Sequence, residues 1–272
     1  MAILEVHGAE IHYEVTGNGD TLVLVPGFAS GAWSWEWQAE ALSTDFRVIT
    51  FDPRGIARSQ VHDGAGISIP VIADDIASLL DHLNIQRANV LGISFGGFVA
   101  QEFALRYPER LGKLVLASTS FGGPNHVAPP IEVLTAFSST DGLNSADRIR
   151  RYITTAFTPN FAREHNDVVD RFCELRENNL VPETIYRQQL ASAMSFNTEE
   201  QISTIQAPTL VITGADDTIV PPQNSYNLLE RLDNAEMSVI EKAGHMAFVE
   251  SASEFNRIIK EFLLANSLKS NA

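Results

Sequence analysis

Ala88-Asn89-Val90-Leu91-Gly92-Ile93-Ser94-Phe95-Gly96-Gly97-Phe98 is the stretch on which the reading of this chain turns. Ala88 to Ile93 is apolar apart from one asparagine, the composition of a strand covered on both faces. Phe98 to Tyr107 then repeats apolar residues at helical spacing. Between them lies Gly92-Ile93-Ser94-Phe95-Gly96, a G-x-S-x-G sequence in a strand–turn–helix setting. A turn this sharp strains the central serine, tolerates only small residues close by, and lifts the hydroxyl above the sheet. The N–H groups that open the following helix point at the same spot and favour developing negative charge there. The pentapeptide alone also fits an ordinary tight turn; its setting makes Ser94 a candidate nucleophile.

The surroundings have the same grammar. Continuous apolar runs recur at Thr21–Val25, Arg47–Phe51, Lys113–Ala117, Thr209–Thr213 and Met237–Ile240. An alternating stretch, Ile3 to Val15, precedes them and reads as an antiparallel pair ending at Gly17-Asn18-Gly19-Asp20. Helical spacing fills the intervals, as in Ile72, Ile76, Leu79, Leu80 and Leu83. This alternation predicts an α/β fold with a mostly parallel central sheet flanked by helices. It lapses between about Gly122 and Thr198, where every periodic segment is helical. The expected organisation is a core of residues 1–121 and 199–272, with an all-helical cap, 122–198, over the carboxyl ends of the strands, where such sheets bind ligands.

Composition narrows the partners. The chain has 272 residues, 44% of them hydrophobic, enough for a sizeable core. A formal charge of −15 argues against nucleic acid or an anionic membrane as partner, and disfavours anionic substrates unless a local basic site offsets the field. Cys173 is the single cysteine, so no internal disulfide forms. Met1–His7 lacks a basic segment followed by a long apolar one, and no apolar run approaches a membrane span. The expectation is a cytoplasmic protein, a monomer or small homo-oligomer, acting on a small molecule.

A serine hydroxyl needs a base. Of seven histidines, His7 and His12 fall in the N-terminal hairpin, His62 in a polar loop, His82 near a helix end, and His126 and His165 in the cap. His245, in Ala243-Gly244-His245-Met246, follows the last strand and lies at the same sheet edge as Ser94. Orienting a histidine takes a carboxylate, and Gly214-Ala215-Asp216-Asp217 offers two. The oxyanion of acyl transfer needs N–H donors. Phe95, after the nucleophile, is one; Phe28, in Pro26-Gly27-Phe28, is the other, since proline has no N–H.

Together these motifs resemble the α/β-hydrolase superfamily from about Thr21 to Leu264. Val25–Phe28 is similar to its oxyanion loop, Asp52-Pro53-Arg54-Gly55-Ile56-Ala57-Arg58-Ser59 to its D-x-R-G-x-G-x-S turn, and Gly92–Gly97 to its nucleophile elbow. Gly214–Asp217 with Val220-Pro221 is similar to its acid turn, and Ala243–His245 to its histidine loop. The resemblance implies that Asp217, four residues before the proline, completes a triad with Ser94 and His245. Pro26 stands where the family usually has histidine, and Ala57 where it has glycine. A serine at position 94 separates the chain from the haloalkane dehalogenase and epoxide hydrolase branches.

The resemblance is strongest to esterases and lactonases such as 3-oxoadipate enol-lactonases, and to C–C bond hydrolases of meta-cleavage products. It implies a serine hydrolase cleaving an ester or lactone through an acyl-enzyme, without metal or organic cofactor. C–C bond hydrolysis, haloperoxidase or perhydrolase-like activity and a slow-turnover ligand receptor are the alternatives. Gly27, within the oxyanion loop, and Trp33, just after it, are the expected substrate contacts. Cap aromatics Phe137, Phe157, Phe161, Phe172 and Phe196 suggest a hydrophobic or aromatic substrate.

Overall fold

The computed structural model describes residues 2–62, 64–138 and 145–265. Nine strands form one sheet: β1 (Ala2–Val6), β2 (Ala9–Thr16), β3 (Thr21–Val25), β4 (Arg47–Phe51), the two-residue β5 (Gln60–Val61), β6 (Ala88–Ile93), β7 (Leu111–Ala117), β8 (Thr209–Gly214) and β9 (Ala235–Ile240). Their order is β1-β2-β4-β3-β6-β7-β8-β9, with β5 beside β2. The pairings of β1 with β2, β2 with β4 and β2 with β5 are antiparallel, and every other pairing is parallel. The α/β fold expected from the alternation is the fold observed. Its central strands are continuous apolar runs because helices cover both faces.

One face is covered by α2 (Ile69–His82) and α3 (Phe95–Arg106), with Ile72, Ile76, Val99 and Phe103 fully buried. The other is covered by α1 (Glu36–Ser43) and the C-terminal α11 (Ala252–Leu264), around Leu42, Phe255 and Ile259. Between β7 and β8 the chain forms α4 (Ile131–Ser138), α5 (Ser145–Ala156), α6 (Pro159–Glu164), α7 (Asn166–Glu177) and α8 (Glu183–Ser195). This helical segment is pinched at its base. Thr198 N–H donates to the Phe121 carbonyl, Gly123 N–H to that of Phe196, and Gly122 bridges Asn197. Helix α9 (Gln223–Arg231) links β8 to β9, and the short α10 (Ala247–Glu250) precedes α11. Among the described residues no helix is long and apolar enough to cross a membrane.

Register determines where the loops emerge. Val25 is level with Gly92, Ile93 with Ala117, Ala117 with Ile212, and Gly214 with Ile240. Parallel strands in this register end along one line, so the loops after β3, β6, β8 and β9 share one edge although up to 220 residues separate them. That edge carries Phe28, Ser94, Asp217 and His245.

The Asp52–Ser59 turn braces the same edge. Asp52 accepts from Ala32 N–H at 2.8 Å and from the Arg58 guanidinium at 2.7 Å, and Ser59 Oγ donates to the Asp52 carbonyl. Ala57 adopts φ 48°, a left-handed conformation more natural to the family's glycine. Arg54 makes a two-pronged ion pair with Asp75 of α2 at 2.8 and 2.5 Å, both side chains only 4% exposed. Removing one partner of such a pair strands the other charge. Asp75→Ala is expected to lower unfolding free energy by about 3–5 kcal/mol in urea titration, and the double replacement Arg54→Met, Asp75→Leu to recover most of it.

Candidate active site

Ser94 sits at φ 53°, ψ −118°, between the end of β6 and the first residue of α3. A non-glycine residue there is strained, and the surroundings must impose it. They do so by close approach. A Cβ on Gly96 would lie 2.2 Å from the Val25 carbonyl oxygen, and one on Gly92 2.2 Å from that of Gly96. Ser94 N–H donates to Ala117 O at 2.9 Å, and the Ser94 carbonyl accepts from Gly97 N–H at 2.9 Å and Thr119 Oγ1 at 2.8 Å. With both flanking peptides fixed, the side chain is presented to a pocket and not to the core.

His245 lines that same pocket. Its Nδ1 is 2.9 Å from Asp217 Oδ2, and the two residues are 5% and 3% exposed. A carboxylate only accepts, so Nδ1 carries a proton, and in the neutral ring Nε2 offers its lone pair. The other oxygen, Asp217 Oδ1, accepts from Ile219 N–H at 2.9 Å and Val220 N–H at 2.8 Å. Asp216 is exposed, and its contribution is a backbone one, its N–H donating to Ala243 O in the histidine loop. Of the two adjacent aspartates, Asp217 is the one in contact with His245.

The histidine loop is also tied to the helical segment. Glu250 Oε1 accepts from Gly244 N–H at 2.9 Å, and its Oε2 accepts from Thr158 Oγ1 at 2.7 Å and Thr158 N–H at 3.2 Å. Met246 N–H donates to Ala156 O at the end of α5. Burial raises the Glu250 carboxyl above its ordinary value, partly countered by these hydrogen bonds.

Gly27 and Phe28 line the pocket beside Ser94. As first residue of α3, Phe95 has no carbonyl one turn earlier in the helix, so its N–H is free for another acceptor. The rings of Phe28 and Phe95 meet edge to face at 6.0 Å. From the helical segment come Tyr152, Ile153 and Ala156 of α5 and Phe172 and Arg176 of α7. The cavity these residues enclose is narrow, about 50 Å³. Most walls are apolar.

Trp33, an expected substrate contact, is not on this wall. A short 3₁₀ turn over Ala32–Trp35 directs its ring onto Phe172, 5.4 Å between centroids, so it backs a lining residue. Phe157, Phe161 and Phe196 likewise pack into the hydrophobic clusters. Phe172 does reach the pocket, and the Phe137 side chain lies outside the described residues.

Sequence reasoning missed Arg176. Burial lowers its basicity, while the phenols of Tyr152 and Tyr186 favour its charged form. Its Nη1 is buried without a hydrogen-bond partner among the described residues. Tyr152 stays a neutral hydroxyl, burial having pushed its phenol up to about 12. A signal was present: Val169, Phe172, Cys173 and Arg176 follow i, i+3, i+4, i+7, which places the arginine on the inward stripe of α7.

A family model described as the alpha/beta hydrolase fold matches residues 20–252. The chain belongs to that family. It is similar to 2-hydroxy-6-oxo-6-phenylhexa-2,4-dienoate hydrolase of Comamonas testosteroni, with 32% identity over 267 residues, 93% of this chain and 91% of the relative. It is 30% identical over 266 residues to the 2-hydroxy-6-oxononadienedioate/2-hydroxy-6-oxononatrienedioate hydrolase of Paraburkholderia xenovorans (strain LB400), covering 93% and 90% of the two chains. Among solved structures it resembles the enol-lactonase from Burkholderia xenovorans LB400, with TM-score 0.82, 25% identity, and 97% and 100% of the chains covered. Both branches expected from the motifs are thus represented, and the chain is a hydrolase of the α/β family.

Removing the Glu250 carboxylate leaves three donors on two segments without an acceptor. Glu250→Ala is expected to cost about 1–3 kcal/mol of unfolding free energy, read from the urea midpoint.

Proposed function

We propose that the chain is a serine hydrolase for small substrates that combine an apolar body with an anionic group, cleaving an ester or lactone through an acyl-enzyme on Ser94. The observation that carries this reading is that His245, held by the buried Asp217, lines one pocket with the strained, partly exposed Ser94. His245 Nε2 takes the Ser94 Oγ proton as the oxygen attacks the carbonyl carbon. The π electrons move onto the carbonyl oxygen, which the N–H groups of Phe28 and Phe95 receive. Collapse of the tetrahedral adduct expels the alkoxide, which takes the proton from His245. Water, deprotonated by the same imidazole, then releases the acid and restores the serine. Asp217 holds the ring's tautomer and offsets its transient charge.

Arg176 supports the anionic group. A guanidinium in a mostly apolar pocket suits a carboxylate, which it can bind by charge-assisted hydrogen bonds. It is also the local basic site that an acid-binding pocket needs in a chain of net charge −15.

A second reading is C–C bond hydrolysis. Two of the relatives are hydrolases of 6-oxo dienoates and dienedioates, carbonyl compounds that also carry carboxylates. The same nucleophile and base serve once the 2-hydroxy dienoate has ketonised, with a proton moved from its enol oxygen to the carbon beside the 6-oxo group; the leaving carbon then departs as a dienolate in place of an alkoxide.

Both readings require Ser94. Ser94→Ala is expected to lower kcat/KM by about a thousandfold or more, and undiminished turnover would sink them. Phenyl esters with and without a terminal carboxylate, run beside 2-hydroxy-6-oxo-6-phenylhexa-2,4-dienoate, separate the two. Arg176→Leu is expected to raise KM for the carboxylate-bearing ester by about ten- to a hundredfold and to leave the neutral ester nearly unaffected. Equal losses on both esters would remove the anionic group from the proposal.

A further inference from the structure

The loop after β3 must hold the Phe28 N–H in one direction, yet it begins with a proline and a glycine and has few internal bonds. Its next peptide, Phe28–Ala29, is pinned at both ends. Ser30 Oγ donates to the Phe28 carbonyl at 3.2 Å. The Ala29 N–H donates at 2.8 Å to Oε1 of Gln189, a residue 160 positions away in α8. Gln189 is 1% exposed and Ala29 is fully buried. Ala29 also adopts φ 53°, a conformation an alanine keeps only when its neighbours enforce it. One turn before Gln189, the ring of Tyr186 meets that of Phe28 edge to face at 4.9 Å.

We propose that Gln189 is a positioning residue for the oxyanion hole: its side-chain carbonyl fixes the Phe28–Ala29 peptide and thereby the orientation of the Phe28 N–H. Through the dihedrals of Phe28, a rotation of the Phe28–Ala29 plane turns the plane before it, which bears the donor. Among the described residues, the hydrogen bonds on this plane come from the loop's own Ser30 and from α8. The helical segment therefore completes the hole without supplying an atom that touches substrate. This inference rests on the serine-hydrolase reading.

Helix α8 contains its own control. Gln188 Oε1 accepts from Ile67 N–H at 3.1 Å, the same kind of bond from the preceding residue, to a residue that does not line the Ser94 pocket. The experiment compares wild type, Gln189→Met, Gln189→Asn, Gln188→Met and Ser94→Ala on one p-nitrophenyl ester. It also measures inhibition by phenylboronic acid, which forms a tetrahedral adduct on serine, and by benzoate, which does not. Gln189→Met is expected to lower kcat by about ten- to a hundredfold, to weaken the boronate in parallel, and to leave KM and benzoate binding within about twofold. Gln188→Met is expected to leave kcat within about twofold even if its thermal midpoint falls as far. Should Gln189→Met not fold, Gln189→Asn, with the acceptor drawn back by one methylene, is expected to show the same split at smaller amplitude.

Unchanged kcat and boronate affinity in a folded Gln189 variant would overturn the proposal, as would equal kcat losses in the Gln188 and Gln189 variants. Turnover that survives Ser94→Ala would instead sink the serine reading, and the proposal with it. Turnover that needs Ser94 but ignores Gln189 would overturn the positioning role alone.

Discussion

At position 94 a buried strand must become a helix within a single residue, and the rest of the site is arranged around that demand. The turn brings the backbone of α3 into contact with the end of β3, so close that a methyl group on Gly96 would overlap the Val25 carbonyl. Strain at one residue is affordable because the sheet on one side and the helix on the other are both deeply packed. The turn thus converts core packing into a fixed direction for a hydroxyl. The parallel register then lines up the neighbouring strand ends, so the acid and histidine loops need only be short to reach it.

The site is built in two tiers. The sheet edge supplies Ser94, Asp217, His245 and the two candidate N–H donors. The helical segment supplies the apolar roof, Arg176, and a set of ties back to the loops below: Gln189 to Ala29, Thr158 and Ala156 to the histidine loop. Helices and sheet edge are therefore one mechanical unit at the point of chemistry. Loops usually carry the chemistry and scaffolds the stability; here a helix also stabilises the loops.

Legibility followed the range of the forces involved. The parallel sheet was readable because burial on both faces leaves a local signature, five consecutive apolar residues such as Thr21–Val25. Ser94 and His245 were readable from their strand-loop settings. The residues alone left Asp216 and Asp217 level, since both occupy the same turn, and only resemblance and then three dimensions separated an exposed carboxylate from a buried one. Trp33 misled because nearness in sequence to the oxyanion loop is not nearness in space to the pocket. Arg176 was hidden among Asp170, Arg171, Glu174 and Glu177, charges that suggest a solvated helix, although its phase on the wheel pointed inward. Gln189 had no local signature at all: its partner is another segment's backbone.

The pinched base of the helical segment has a consequence for how such chains diversify. Its two ends leave and rejoin the core side by side, through the bridge between Gly122 and Asn197, so by geometry alone the whole segment could be exchanged for that of a relative. The ties to Ala29 and to the histidine loop make such a swap costly, because an incoming segment must bring an acceptor for the Ala29 N–H and donors for the Glu250 carboxylate. Recombination at this boundary is thus open topologically and restricted chemically. Chimaeras that keep a glutamine at the Gln189 position and a threonine at the Thr158 position would be the ones to inherit a working core.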